Sequence, residues 1–61
     1  MEIRIYRYKR KKPLIYQIKD FKNENTQGDI IKIITTNGKE KTIKNIERAW
    51  VWDNDKLVWC Y

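Results

Sequence analysis

Apolar side chains recur at every second position in much of this 61-residue chain, and no long stretch repeats them at the 3.6-residue period of a helix. Isoleucine, valine, tyrosine and tryptophan make up most of the apolar set, and these residue types favour strands. We therefore predict an all-β fold for a single domain over residues 1–61. The expected architecture is a small antiparallel meander of five to six strands, forming an SH3-like barrel or a two-layer sheet with no long helix.

In the first half of the chain the alternation predicts three strands, over residues 2–9, 14–22 and 29–36. A turn separates the first two strands at Pro13, which has no N–H to donate to a neighbouring strand. A polar loop over residues 23–28 separates the second strand from the third. The third strand places isoleucines on both of its faces, which predicts that it is covered on both sides.

The dipeptide Asn37-Gly38 is the clearest turn signal in the chain. It favours a two-residue type I′ turn, in which both central residues have positive φ. That turn would place Lys32 opposite Ile43 on the following strand. Beyond this hairpin the pattern is ambiguous, because Ile43 and Ile46 lie three residues apart and also fit one helical or 3₁₀ turn.

A second two-residue turn is predicted at Asn54-Asp55, between two apolar stretches. The expected cross-strand pairs are Asp53 with Lys56, Trp52 with Leu57, Val51 with Val58, and Trp50 with Trp59. Because opposed residues share a face, one face would carry Trp50, Trp52, Leu57, Trp59 and Tyr61, and the other Ala49, Val51, Val58 and Cys60. Both faces of this hairpin are therefore predicted to be apolar.

The aromatic face of this hairpin has two interpretations, a domain core or an interface. We expect the three tryptophans to be mainly buried, with at least one of them at a subunit or partner contact, since large exposed apolar patches usually mark interfaces. The candidate interface residues are Trp50, Trp52, Trp59 and Tyr61.

The order of features in residues 30–61 is a hairpin, a short turn that contains isoleucine, a tryptophan-bearing strand, a turn and a strand. This order resembles that of small SH3-like DNA-binding barrels of archaea, over about half of the chain. The resemblance implies an SH3-like barrel and a DNA-binding function.

The net charge of +6 is concentrated at the start of the chain. Residues 1–22 hold eight basic and two acidic residues, whereas residues 23–61 hold six of each. Within the first strand, cations alternate with tyrosines, a pattern in which rings can stack on bases while guanidinium groups hold phosphates. The predicted binding residues are Arg4, Tyr6, Arg7, Tyr8, Lys9, Arg10, Lys11 and Lys12.

Three interpretations of this basic segment remain open. Lysine and arginine also protect solvated edge strands from aggregation, and a basic strand can bind an acidic protein. The sequence favours a small non-enzymatic protein that contacts nucleic acid. The alternative is a regulator or inhibitor, of the type encoded by phages or other mobile elements, that binds a host protein stoichiometrically, for example by adding a strand to its sheet.

Residue types exclude several kinds of chemistry. The chain has no histidine and no serine, so that a Ser-His-Asp triad or a Cys-His pair is absent, and one cysteine with no histidine cannot form a structural zinc site. Asp53-Asn54-Asp55 begins like a calcium loop, but the sixth position is Val58 where that motif needs glycine. We therefore predict no catalytic residues, no metal and no cofactor.

Size and composition also bear on assembly and location. A core of this size is marginally stable, and small domains often add disulfides, metals or oligomerisation. With the first two excluded, we predict a homo-oligomer. No apolar run has the length of a membrane span or signal peptide, and a lone cysteine suits a reducing compartment, which predicts a cytoplasmic protein without membrane contact.

Overall fold

The computed structural model describes residues 1–24 and 30–61, and these form six antiparallel strands in one open sheet. The strands are β1 (Glu2–Arg7), β2 (Leu14–Glu24), β3 (Ile30–Thr35), β4 (Glu40–Ile43), β5 (Ile46–Asp53) and β6 (Lys56–Cys60). The all-β antiparallel prediction is confirmed. The predicted loop at 23–28 lies mostly outside the described residues, and its first two residues belong to β2. None of the described residues forms a helix that could cross a membrane.

The spatial order of the strands is β4-β3-β2-β1-β5-β6, so that β4 and β6 are the two edges and the barrel is not closed. The long strand β2 belongs to both halves of the sheet. Its first residues pair with β1, and its later residues pair with β3, after an irregularity between Ile18 and Asp20. Such irregularities bend a strand. The bend allows both halves of the sheet to contribute to one core.

The core consists almost entirely of isoleucine from five strands. The buried apolar residues are Ile3, Ile5, Ile18, Ile31, Ile33, Ile43, Ile46, Ala49 and Val51. On β3, Ile31 and Ile33 face this core, whereas Ile30 and Ile34 are only partly buried. The prediction that this strand is covered on both sides is therefore wrong, because only one face of the sheet meets the core.

Ile43 and Ile46 both face the core without a helical turn between them. A two-residue connection joins β4 to β5, with Asn45 at a left-handed φ of 60°. The pairing of β1 with β5 then shifts, since Tyr6 lies opposite Arg48 and Arg7 lies opposite Ile46. The extra residue in β5 keeps Ile46 on the same face as Ala49, three positions later.

The hairpin at Asn37-Gly38 differs from the prediction by one residue. Ile31 lies opposite Ile43, and Gly38 adopts a left-handed φ of 89° in a three-residue loop. The Gly38 N–H donates to the Thr35 carbonyl at 2.9 Å, as expected for a type I turn followed by a glycine bulge. Burial explains the difference, because the predicted two-residue turn would have paired Ile43 with an exposed lysine.

The β5–β6 hairpin begins as predicted and then shifts. Asn54 and Asp55 both have left-handed φ values, and Trp52 lies opposite Leu57. A bulge follows, so that Trp59 lies opposite Val51 and Cys60 lies opposite Trp50. The predicted Trp50–Trp59 and Val51–Val58 pairs are therefore wrong, and Cys60 is exposed instead of facing inward.

The bulge divides the three tryptophans between the two faces of the sheet. Trp59 packs against the core, with its ring 5.1 Å from that of Phe21, whereas Trp50 and Trp52 lie on the outer face. All three are partly buried, in line with the expectation that they are mainly buried. Moving the large Trp59 ring to the core face buries apolar area that a regular register would leave in solvent.

Candidate functional site

The most distinctive surface of the molecule lies on the outer side of β1 and β5. On this side Arg4 lies opposite Trp50, and Tyr6 lies opposite Arg48. We call this surface the aromatic–arginine face, and its members are Arg4, Tyr6, Arg48, Trp50 and Trp52. β1 lies between β2 and β5, so that the interpretation of β1 as a solvated edge strand is wrong.

The rings of this face are held in a defined arrangement. The Tyr6 and Trp50 centroids lie 5.3 Å apart at an interplanar angle of 89°, an edge-to-face contact. The Arg48 guanidinium carbon lies 5.6 Å from each of these two centroids, within the range of a cation–π interaction. The cluster thus combines two partly exposed rings and an exposed guanidinium group in one preorganised unit.

Acidic residues partly compensate the arginines of this face. Arg4 Nη2 donates to Glu2 Oε2 at 3.2 Å, and Gln17 Nε2 donates to the other carboxylate oxygen of Glu2 at 3.2 Å. Arg48 Nε lies 3.8 Å from Glu47 Oε1, with both side chains largely exposed. The face is therefore suited to stacking. Positive charge that is not paired with a carboxylate lies elsewhere on the molecule.

That charge lies in the turn after β1, which we call the basic turn, residues 8–12. Lys9 adopts a left-handed φ of 63°, and the Arg10 N–H donates to the Arg7 carbonyl at 3.3 Å. The Tyr8 N–H donates to the Asn45 carbonyl at 3.0 Å, which fixes the basic turn beside the β4–β5 connection. The predicted residues Lys9, Arg10, Lys11 and Lys12 are all exposed here.

The opposite end of β1 carries groups of both signs. Because β5 is antiparallel to β1, the β5–β6 turn returns to the start of β1, where a depression is lined by Glu2, Asp53 and Asp55 together with Met1, Arg4 and Trp52. One end of β1 is therefore strongly basic, whereas the positive charge at the other end is balanced by carboxylates. This polarity gives any extended anion one preferred region of attachment.

The structure brings together only part of the predicted binding set. Arg4 and Tyr6 share the outer face, but β1 ends at Arg7, so that Tyr8 and Arg10 lie in the basic turn and not on that face. Tyr8 is 53% exposed there. Of the interface candidates, Trp50 and Trp52 belong to the aromatic–arginine face, whereas Trp59 stacks on Tyr61 with centroids 6.3 Å apart and packs on the core side.

The sequence pattern did not identify two functional candidates, Arg48 and Lys44. Arg48 reaches Tyr6 only because β5 pairs with β1, a contact between residues more than forty positions apart. Lys44 lies in the connection that the Tyr8–Asn45 hydrogen bond holds against the basic turn. No local spacing rule marks these residues, since their proximity depends on strand order.

The edge strand β6, which lies next to β5, is a second candidate binding surface. Its exposed apolar side chains include Leu57 and Val58, which are 42% and 48% exposed. Among the described residues, β6 has a strand neighbour on one side alone. Exposed apolar edges of this kind can pair with another chain.

Comparisons with protein-family models, with curated proteins and with solved structures find no match to this chain. Within residues 1–24 and 30–61, no three side chains of the metal-binding acidic or cysteine type form a group that could hold a metal ion. The function has therefore to be inferred from the surfaces described above.

Proposed function

We propose that this protein is a small, non-enzymatic, basic nucleic-acid-binding protein. The observation that carries the proposal is the juxtaposition of partly exposed rings and arginines on β1 and β5 with the basic turn at the end of β1. In this proposal Tyr6, Trp50 and Trp52 stack on bases, Arg4 and Arg48 flank the stacked bases, and the basic turn binds phosphates. The lone exposed thiol of Cys60 suits a reducing, cytoplasmic setting.

The shape of the site favours single-stranded nucleic acid. Stacking needs bases with exposed ring faces, which a duplex offers only at its ends, whereas a single strand can spread its bases over a sheet. No helix that could enter a major groove is found among the described residues. We therefore expect binding without sequence specificity and a preference for single strands over duplex.

The proposal predicts a steep salt dependence for binding of a single-stranded oligonucleotide. Contact with about four to six phosphates gives a slope of log affinity against log salt of roughly −3 to −4. Replacing both Lys11 and Lys12 with alanine removes two phosphate contacts and should flatten the slope by about 1.4. Fluorescence anisotropy at several salt concentrations measures both slopes.

The matched control replaces Lys19 and Lys39 with alanine. These two lysines are also exposed, and they lie away from the basic turn, Lys39 at the opposite end of β4 from Lys44. The net charge changes equally in both double variants, so that a general charge effect would flatten both slopes alike. A slope near zero in the unaltered protein would refute phosphate binding.

A second candidate function, binding of a protein partner, is favoured by the edge strand β6. β1 cannot add to a partner's sheet, because both of its sides are already paired. The exposed Leu57 and Val58 make β6 the edge at which a host protein could add a strand. The same edge suits a second copy of this chain, in line with the homo-oligomer that the small core predicts.

A further inference from the structure

A basic notch lies on the core side of the sheet. It is lined by residues from the end of β1, the start of β2, β4 and the β4–β5 connection. The notch has a volume of about 550 Å³. Its polar lining residues are Arg7, Tyr16, Lys41, Thr42, Lys44 and Asn45. It is distinct from the aromatic–arginine face, because Arg7 lies beyond the register shift of β1 and points away from Tyr6.

The charge of this notch is entirely positive. Three of its lining residues are cations and none of them is acidic. Lys41 Nζ lies 5.5 Å from the Tyr16 ring centroid, and this cation–π contact holds the ammonium group beside the notch. Three like charges around one depression repel each other in the absence of an anion, and a bound anion would relieve that repulsion.

Arg7 supplies an unused donor at the same place. Its Nε is buried and has no hydrogen-bond partner among the described residues, and a buried donor of this kind is costly unless a ligand or water satisfies it. Arg4 Nε is also unpartnered, but the Arg4 guanidinium is already bound to Glu2. The Arg7 guanidinium has no acidic partner within the part of the chain that the structure describes.

We propose that this notch binds a phosphate group, with Arg7 as the forked donor and Lys41 and Lys44 as flanking charges. The hydroxyl group of Tyr16 adds a further donor. Planar guanidinium groups match the geometry of phosphate oxygens, and lysines add charge without demanding a fixed geometry. The phosphate can come from inorganic phosphate or from a nucleic-acid backbone, and the second source rests on the function proposed above.

The test is a titration of the ¹⁵N-labelled protein with inorganic phosphate, against sodium chloride at equal ionic strength. The readout is the side-chain Nε–H resonance of Arg7, with that of Arg4 as the internal reference. A saturable shift of the Arg7 resonance that chloride does not produce is expected. Replacing Lys41 and Lys44 with glutamine should weaken phosphate binding about tenfold or more, whereas Lys39→Gln should leave it unchanged.

A second arm adds a short single-stranded oligonucleotide and separates the two sources. If the oligonucleotide displaces phosphate from the notch, the backbone is the source; if both bind together, free phosphate is the ligand. If phosphate shifts the Arg7 resonance but the oligonucleotide does not bind, phosphate binding in the notch is supported and the proposed nucleic-acid function is refuted. If neither ligand shifts the Arg7 resonance, the proposal that the notch binds phosphate is refuted. This holds even if the oligonucleotide binds to the aromatic–arginine face.

Discussion

Replacing Tyr6 and Trp50 together with leucine should lower the affinity for a single-stranded oligonucleotide about 100-fold. Stacking of one base on an aromatic side chain contributes roughly 1–3 kcal/mol, and the double variant removes two rings that contact each other at 5.3 Å. Leucine keeps an apolar side chain at both positions, so that the sheet retains most of its packing. Fluorescence anisotropy with a labelled oligonucleotide measures the change.

The matched control for this experiment replaces Leu57 and Val58 with alanine. This pair is exposed on the neighbouring strand β6 but offers no ring for stacking. Oligonucleotide affinity should change less than about threefold in this control, since no stacking or phosphate contact is lost. Equal affinity of the Tyr6/Trp50 variant and the unaltered protein would contradict the stacking role.

Truncation of the core should have the largest effect on stability. Ile5 is completely buried on the central strand β1, and Ile5→Ala should lower the free energy of unfolding by about 2–5 kcal/mol, from the lost burial and the remaining cavity. A domain of this size has a total stability of only about 3–9 kcal/mol. The variant should therefore lose a substantial part of its stability and unfold at a lower urea concentration than the unaltered protein.

Ile15→Ala is the control of identical chemistry. Ile15 is 51% exposed on the outer face of β2, so that the same truncation should cost less than about 1 kcal/mol. Urea denaturation followed by circular dichroism gives both values. Similar losses for the two variants would show that the core does not lie on the side of the sheet described here.

The local features of the fold were predictable from the sequence. The apolar spacing and the β-branched and aromatic residue types located β1, β2 and β3, and Asn54-Asp55 located the final turn, because strand preference and turn conformation are encoded by neighbouring residues. The register at Asn37-Gly38 was not found, since burial of Ile43 opposite Ile31 outweighs the local preference of the dipeptide for a type I′ turn.

Only part of the candidate site was predictable, because its residues come from two strands that are distant in sequence. Arg4 and Tyr6 were identified as a ring-and-cation row from their own spacing. Their partners Arg48 and Trp50 come from β5, and the pairing of β1 with β5 is a long-range contact that no local pattern specifies. The bulge that moves Trp59 to the core side is likewise a response to packing, and this bulge separates the stacking tryptophans from the structural one.

The three tryptophans provide the most direct test of the proposed binding face. Their indole N–H resonances can be followed separately while a single-stranded oligonucleotide is added to the ¹⁵N-labelled protein. Since Trp50 and Trp52 lie on the outer face and Trp59 packs on the core side, the first two resonances should shift strongly and saturate together, while that of Trp59 should move little. Binding that shifts Trp59 and leaves Trp50 and Trp52 unchanged would contradict the assignment of this face.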